Sequence, residues 1–232
     1  ARELDLISGA ELERLLVADG HGAHGHAALA RAYLSKYNLT KDRSWEDRAR
    51  VACERAHELD PRSPDVLVTL GHLHTSLGRP SEAAREFQRA LRLRHDHPDA
   101  LLGLSEAYEA SGKLDEAEQA CREAIACRPQ FWGAYNRLGI LHFSQGLYER
   151  AIDPWKRVVE LTPDNVRGFN NLGAAYFQMG RYSDALAAYH RSIEILPNAA
   201  AYSSLGTVHF FLRNYAEAVA MFEKGTALRP ND

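Results

Sequence analysis

One interval governs this chain. The segments "VTLGHLH", "LGLSEAY", "NRLGILH", "NNLGAAY" and "SSLGTVH" share a Leu, then a small residue, then a Tyr or His three positions later. The small residues are Gly71, Ser105, Gly139, Gly173 and Gly206, spaced by 34, 34, 34 and 33 positions. Twelve positions after each comes an alanine: Ala83, Ala117, Ala151, Ala185 and Ala218. Four further on stands a larger side chain: Phe87, Cys121, Trp155, Tyr189 or Phe222. Spacings of three and four place these residues on one face of a helix, so each unit reads as two helices. Gly78, Gly112, Gly146 and Gly180 stop the first helix of their units as left-handed caps, and Arg213 stands in that place in the last. Pro61, Pro129, Pro163, Pro197 and Pro230 stop second helices, and His95 takes the proline slot of the first regular unit.

A fixed period of helix pairs means that no unit buries its apolar face alone and each must stack on its neighbours. Gly139 and Ala151 are small enough for two backbones to approach, with Leu138, Tyr135 and Trp155 filling the space around them. "YNRLGILHFSQGLYERAIDPWKRVVELTP" resembles the tetratricopeptide repeat, with its Leu-Gly, downstream aromatic, Ala, aromatic and Pro. The resemblance covers 64–97, 98–131, 132–165, 166–199 and 200–232. It implies an all-α fold, a right-handed superhelical α-solenoid of antiparallel helix pairs, whose first helices line a concave groove for a protein or peptide. Residues 24–63 form a degenerate unit: Leu29, Ala30 and Tyr33 fill the first-helix slots, and Ala49, Cys53, Ala56 and Pro61 those of the second. Its surplus of about seven residues is expected as a long loop in "NLTKDRSWED", with Asn38 ending one helix and Ser44 and Asp47 opening the next as a capping box. Residues 1–23 read as a lead helix, opened by Ser8 and Glu11 and stopped by Gly20, followed by a junction.

The groove is where function is expected. Its candidate residues are Asn136, Arg137, Phe143, Arg167, Asn170, Asn171, Phe177, Phe210 and Phe211. A carboxamide both donates to and accepts from a peptide backbone. Asn171 in "NNLG" resembles the groove asparagines of several tetratricopeptide proteins, and Arg137 with Arg167 would add a carboxylate clamp. The lysine and asparagine set of the family's chaperone-tail clamp is absent. The aromatics at 143 and 177 have packing as their alternative role. The earlier units offer His72, Thr75, Glu106 and Glu109 instead, a polar and acidic half before an aromatic one.

Other classes find little footing. No phosphate loop, nucleophile elbow or HExxH occurs, so an enzyme is not expected and no cofactor is implied. The net charge of -3 is spread among interspersed acids and bases, which argues against nucleic acid. No apolar run approaches the roughly 20 residues of a membrane span. Cys53, Cys121 and Cys127, an odd number without CxxC spacing, read as buried reduced thiols in a cytoplasmic protein. In "GHGAHGH", His21, His24 and His26 could converge on zinc, but solvated junction residues are the simpler reading, and no metal is expected. Pro154, inside a second helix, calls for a kink or a late helix start. The start at Ala1 and the stop at "RPND" suggest a piece of something larger. The C-terminal tract also resembles repeat tracts of bacterial serine/threonine kinases and other signalling proteins, which would make the chain a sensory or docking region. With no polar helix after Pro230, Val219 and Phe222 would be left uncovered, inviting self-association.

Overall fold

The computed structural model describes residues 22–228, which form twelve α-helices and no strand. The expected lead helix with Ser8, Glu11 and Gly20, together with His21 and Pro230, lies outside those residues. The chain divides at Cys127/Arg128 into two compact units. The first holds α1 (Ala23–Thr40), α2 (Arg43–Leu59), α3 (Pro64–Ser76), α4 (Pro80–Leu93), α5 (Pro98–Ala110) and α6 (Leu114–Cys127). The second holds α7 (Trp132–Ser144), α8 (Tyr148–Leu161), α9 (Val166–Gln178), α10 (Tyr182–Ile195), α11 (Ala199–Phe211) and α12 (Tyr215–Ala227). In each unit consecutive helices pack as antiparallel neighbours through short turns, and each second helix also packs on the first helix that follows it.

The small-residue slot explains the packing. A Cβ built on Gly139 would stand 2.5 Å from the Trp155 indole nitrogen, and one on Gly173 2.6 Å from the Tyr189 ring. The same close approach pairs Gly71 with Phe87 and Gly206 with Phe222. Where the slot holds a larger residue, the partner shrinks. Ser105 faces Cys121, Oγ to Sγ at 3.1 Å, and Ala30 shares a buried cluster with Cys53. The repeat therefore conserves volume across each pair, as a close-packed interior requires.

Turn chemistry follows the sequence closely. Gly78, Gly112, Gly146 and Gly180 have φ between 68° and 74°, the left-handed region that glycine enters without a Cβ clash. Arg213 adopts φ 63° in the same place. Pro64, Pro80 and Pro98 each open a helix, where a missing N–H costs nothing. Asn165 and Asn198 cap α9 and α11 by accepting from Gly168 and Ala201 N–H, both at 2.9 Å.

Four expectations need correction. The surplus of the degenerate pair is not a loop: α1 runs to Thr40, Lys41 turns left-handed at φ 57°, and only two residues separate it from α2. Asp42, not Ser44 with Asp47, caps α2, by accepting from Ser44 N–H at 2.9 Å. His24 and His26 are not junction residues. Ala23, Ala27 and Ala30 form a buried stripe at helical spacing, which carries α1 back to Gly22. Two positions apart on a helix, those histidines point in different directions, and no group of three metal-ligating side chains occurs among the described residues. Cys127 is exposed, unlike Cys53 and Cys121, because it ends α6 beyond the buried stripe of Ala117, Ala120, Cys121 and Ala124.

Pro154 does not delay the helix start: α8 runs from Tyr148 to Leu161 with the proline inside it. Its ring nitrogen cannot donate to the Arg150 carbonyl, the normal partner four residues back. His142 of α7 supplies the replacement: its Nδ1 donates to that oxygen at 2.9 Å, which fixes the tautomer because a carbonyl only accepts.

Candidate functional site

The first helices present two chemically different faces, one in each unit. In the second unit Asn171 of α9 donates from Nδ2 to Asn136 Oδ1 of α7 at 3.2 Å. The bond links residues 35 apart, one more than the repeat, so it runs diagonally between successive first helices. Both side chains are half-buried. The adjacent Asn170 does something else: its Nδ2 donates to Asn198 Oδ1 at 3.3 Å, the oxygen that caps α11. Asn198 in turn donates to Ser192 Oγ at 3.1 Å and to the Leu196 carbonyl at 2.9 Å. Neighbours on a helix stand about 100° apart, so Asn170 and Asn171 face different surroundings, and Asn170 braces a turn. Arg137 is half-buried beside Asn136, and Arg167 lies exposed one turn before Asn171.

The aromatic candidates separate in the same way. Phe143 is packed within its own pair, 5.1 Å from Tyr148 and 5.6 Å from Trp155 between ring centroids. Phe177 repeats the contact within its pair, 5.8 Å from Tyr182, but also reaches the following pair, 5.2 Å from Phe211. Phe211 continues to Phe210 at 6.3 Å, and Phe210 to Tyr215 at 5.7 Å. The result is one connected aromatic cluster where α9 and α11 end and α10 and α12 begin. Phe210, Phe211 and Tyr215 are each more than half exposed, at 56%, 57% and 56%. Tyr182 and Tyr215 are members that the sequence reading missed. Their signal is present, since the slot nine positions after the small residue reads Pro80, Leu114, Tyr148, Tyr182 and Tyr215.

In the first unit the corresponding face is a polar cleft of about 500 Å³ lined by α1, α3 and α5, with Arg31, Ser35 and Lys41 opposite Glu106 and His72 and Thr75 between. His72 stands edge-on to Phe87, ring centroids 5.2 Å apart. Burial holds its imidazole below the ordinary range, against the pull of Glu106 and Asp99, so it is neutral at pH 7. Nearby, Asp65 accepts from Arg94 at 2.9 Å and from His97 Nε2 at 3.1 Å, tying α3 to the turn before α5. His24 Nε2 approaches the same carboxylate at 3.8 Å.

With this geometry in place, comparison with known proteins decides the family. Repeat models match residues 68–130 (tetratricopeptide repeat), 141–180 (TPR repeat) and 164–231 (tetratricopeptide repeat). The chain belongs to the tetratricopeptide repeat family. Among solved structures, MamA is 25% identical with a TM-score of 0.61, covering 69% of this chain and 94% of that one. PilF of Pseudomonas aeruginosa is 18% identical with a TM-score of 0.65, covering 90% of this chain and 95% of that one. YrrB, described as a TPR protein with an unusual peptide-binding site, is 20% identical with a TM-score of 0.57 over 78% of this chain and 93% of its own. The fold is thus the all-α solenoid of tetratricopeptide repeat proteins. No curated protein matches the chain. The resemblance of the C-terminal tract to kinase-associated repeats gains no support from these matches. Among the described residues no helix is long and apolar enough to cross a membrane.

Proposed function

We propose that this tetratricopeptide repeat chain is a protein- or peptide-binding scaffold that does no chemistry of its own and engages its ligand through the second unit. The exposed, connected aromatic cluster of Phe177, Tyr182, Phe210, Phe211 and Tyr215 is the observation that carries this reading. Besides the apolar rings, the bonded carboxamides of Asn136 and Asn171 on the first helices of the same unit keep one donor and one acceptor for a peptide backbone, the usual division between affinity and register. Arg167, exposed on the same helix as Asn171, can approach a ligand carboxylate, whereas Phe143 and Asn170 serve packing and the turn. The repeat-bearing YrrB, with its peptide-binding site, is consistent with this assignment.

Selection from a displayed peptide library tests it. The intact chain should enrich a sequence family containing apolar or aromatic residues, and a Phe177→Ala/Phe211→Ala/Asn171→Ala variant with an unchanged helical circular-dichroism spectrum should lose that family. Identical enrichment by both proteins would refute the site. Two secondary features belong to the same reading. Free thiols at Cys53, Cys121 and Cys127 favour a reducing compartment such as the cytoplasm. Val219, Phe222 and Leu228, 56%, 40% and 46% exposed, leave α12 with an apolar outer face that favours self-association, to be read by light scattering.

A further inference from the structure

The polar cleft of the first unit has an order that the first helices of the second unit lack. Arg31, His72 and Glu106 each directly follow the small residue of their unit, Ala30, Gly71 and Ser105. They are therefore the same structural position on three successive first helices. In the second unit that position reads Ile140, Ala174 and Thr207, with no charge. The cleft thus has a cation at its α1 edge, a neutral imidazole in the middle and a carboxylate at its α5 edge.

The irregular helix α1 reinforces the positive edge. It is 18 residues long against 13 for α3 and α5, and its extra turn brings Lys41 over the same cleft. Between the charges lie hydroxyls whose protons are already committed to their own helices. Ser35 Oγ donates to the Arg31 carbonyl at 3.0 Å and Thr75 Oγ1 to the Gly71 carbonyl at 3.1 Å. Their remaining lone pairs can only accept, which suits the N–H groups of a backbone lying across them.

From this arrangement we infer a second ligand site, separate from the aromatic cluster, that takes an extended peptide segment carrying an acidic side chain at one end and a basic one at the other. The acidic group pairs with Arg31 and Lys41, the basic group with Glu106, and the intervening backbone runs over Ser35, His72 and Thr75. Charge complementarity sets the ligand class: a uniformly acidic segment meets Glu106, and a uniformly basic one meets Arg31 and Lys41. Packed helices lie about 8–10 Å apart, so Arg31 and Glu106 stand on helices roughly 16–20 Å apart. Extended chain covers about 3.3 Å per residue and its side chains alternate between faces, which places the two ligand charges about six residues apart, both on the face toward the cleft.

The test uses four fluorescein-labelled nonapeptides of Gly and Ser, in which the second and eighth positions hold Asp and Lys, Asp and Asp, Lys and Lys, or Ser and Ser. Fluorescence anisotropy at low salt should show the Asp/Lys peptide binding the full chain at least about tenfold tighter than the other three. Glu106→Lys should move the preference to the Asp/Asp peptide, and Arg31→Glu with Lys41→Glu to the Lys/Lys peptide. Both variants change exposed side chains, and their melting curves report whether the fold is kept; Glu106→Gln, which should merely lose the preference, is the milder check. A Phe177→Ala/Phe211→Ala variant should leave all four affinities unchanged, which separates this site from the aromatic one. Equal binding of the four peptides, no binding of any, or a preference that ignores the charge reversals would each overturn the proposal.

Discussion

His142→Phe should destabilise the second unit by about 1–3 kcal/mol, and most of that cost should vanish when Pro154 is replaced by Ala. The perturbation isolates one hydrogen bond. His142 is 4% exposed and donates to the Arg150 carbonyl, which Pro154 cannot serve. Phenylalanine keeps most of the ring volume but has no donor, so the carbonyl loses this part-buried bond, at a cost of about 1–3 kcal/mol. In the Pro154→Ala background the new N–H reaches the same oxygen four residues back, and His142→Phe should then cost only its repacking, about 0.5 kcal/mol or less. The interaction energy of the double-mutant cycle is therefore expected at about 1–2 kcal/mol. Pro154→Ala alone should stabilise, because proline in a helix interior is worth up to about 3 kcal/mol less than alanine. Urea unfolding followed by Trp155 fluorescence reads this directly, in a background with Trp45 and Trp132 changed to Phe. Equal costs of His142→Phe in the two backgrounds, within about 0.3 kcal/mol, would refute the compensation.

Two further outcomes follow from backbone strain and from buried titratable groups. Arg213 occupies the left-handed position that glycine fills in the other units, so Arg213→Gly should raise stability by about 0.5–1 kcal/mol, the relieved Cβ clash exceeding the added freedom of the unfolded chain; an unchanged or lower melting temperature would contradict it. Burial holds His72 and His97 below the ordinary imidazole range, overcoming the pull of Glu106 on the first and of Asp65 on the second. Their contribution is complete above the unfolded value of about 6.5 and is lost as pH falls toward their lower native values. The melting temperature should thus decline below about pH 6.5, and less so in a His72→Gln/His97→Gln variant. An identical decline in the variant would show that other groups set it. Asp65, which burial alone would raise, is carried below the usual carboxylate range by hydrogen bonds from Arg94 and His97, so its share is lost only at more acidic pH.

The sequence by itself determined the helix pairs, the family and the packing between them. Those features are local or strictly periodic: Gly139 and Trp155 are sixteen residues apart in a unit whose geometry the repeat dictates, and a left-handed cap needs only the residue that can adopt it. Even the shrinkage at Cys121 opposite Ser105 is written in the alignment of units. Tertiary structure decided what departs from the period or depends on where a polar side chain finds its partner. Helical phase allowed Asn170 and Asn171 equally, but the Asn198 cap claims one and Asn136 the other. Phe143 and Phe177 hold the same slot, yet Trp155 and Tyr148 enclose the first, while the second meets Phe211 of the following pair. The surplus in "NLTKDRSWED" became a longer helix because each added residue completes a backbone hydrogen bond that a loop would leave to water. That choice, invisible to residue counting, brought Lys41 to the cleft shared by Arg31, His72 and Glu106.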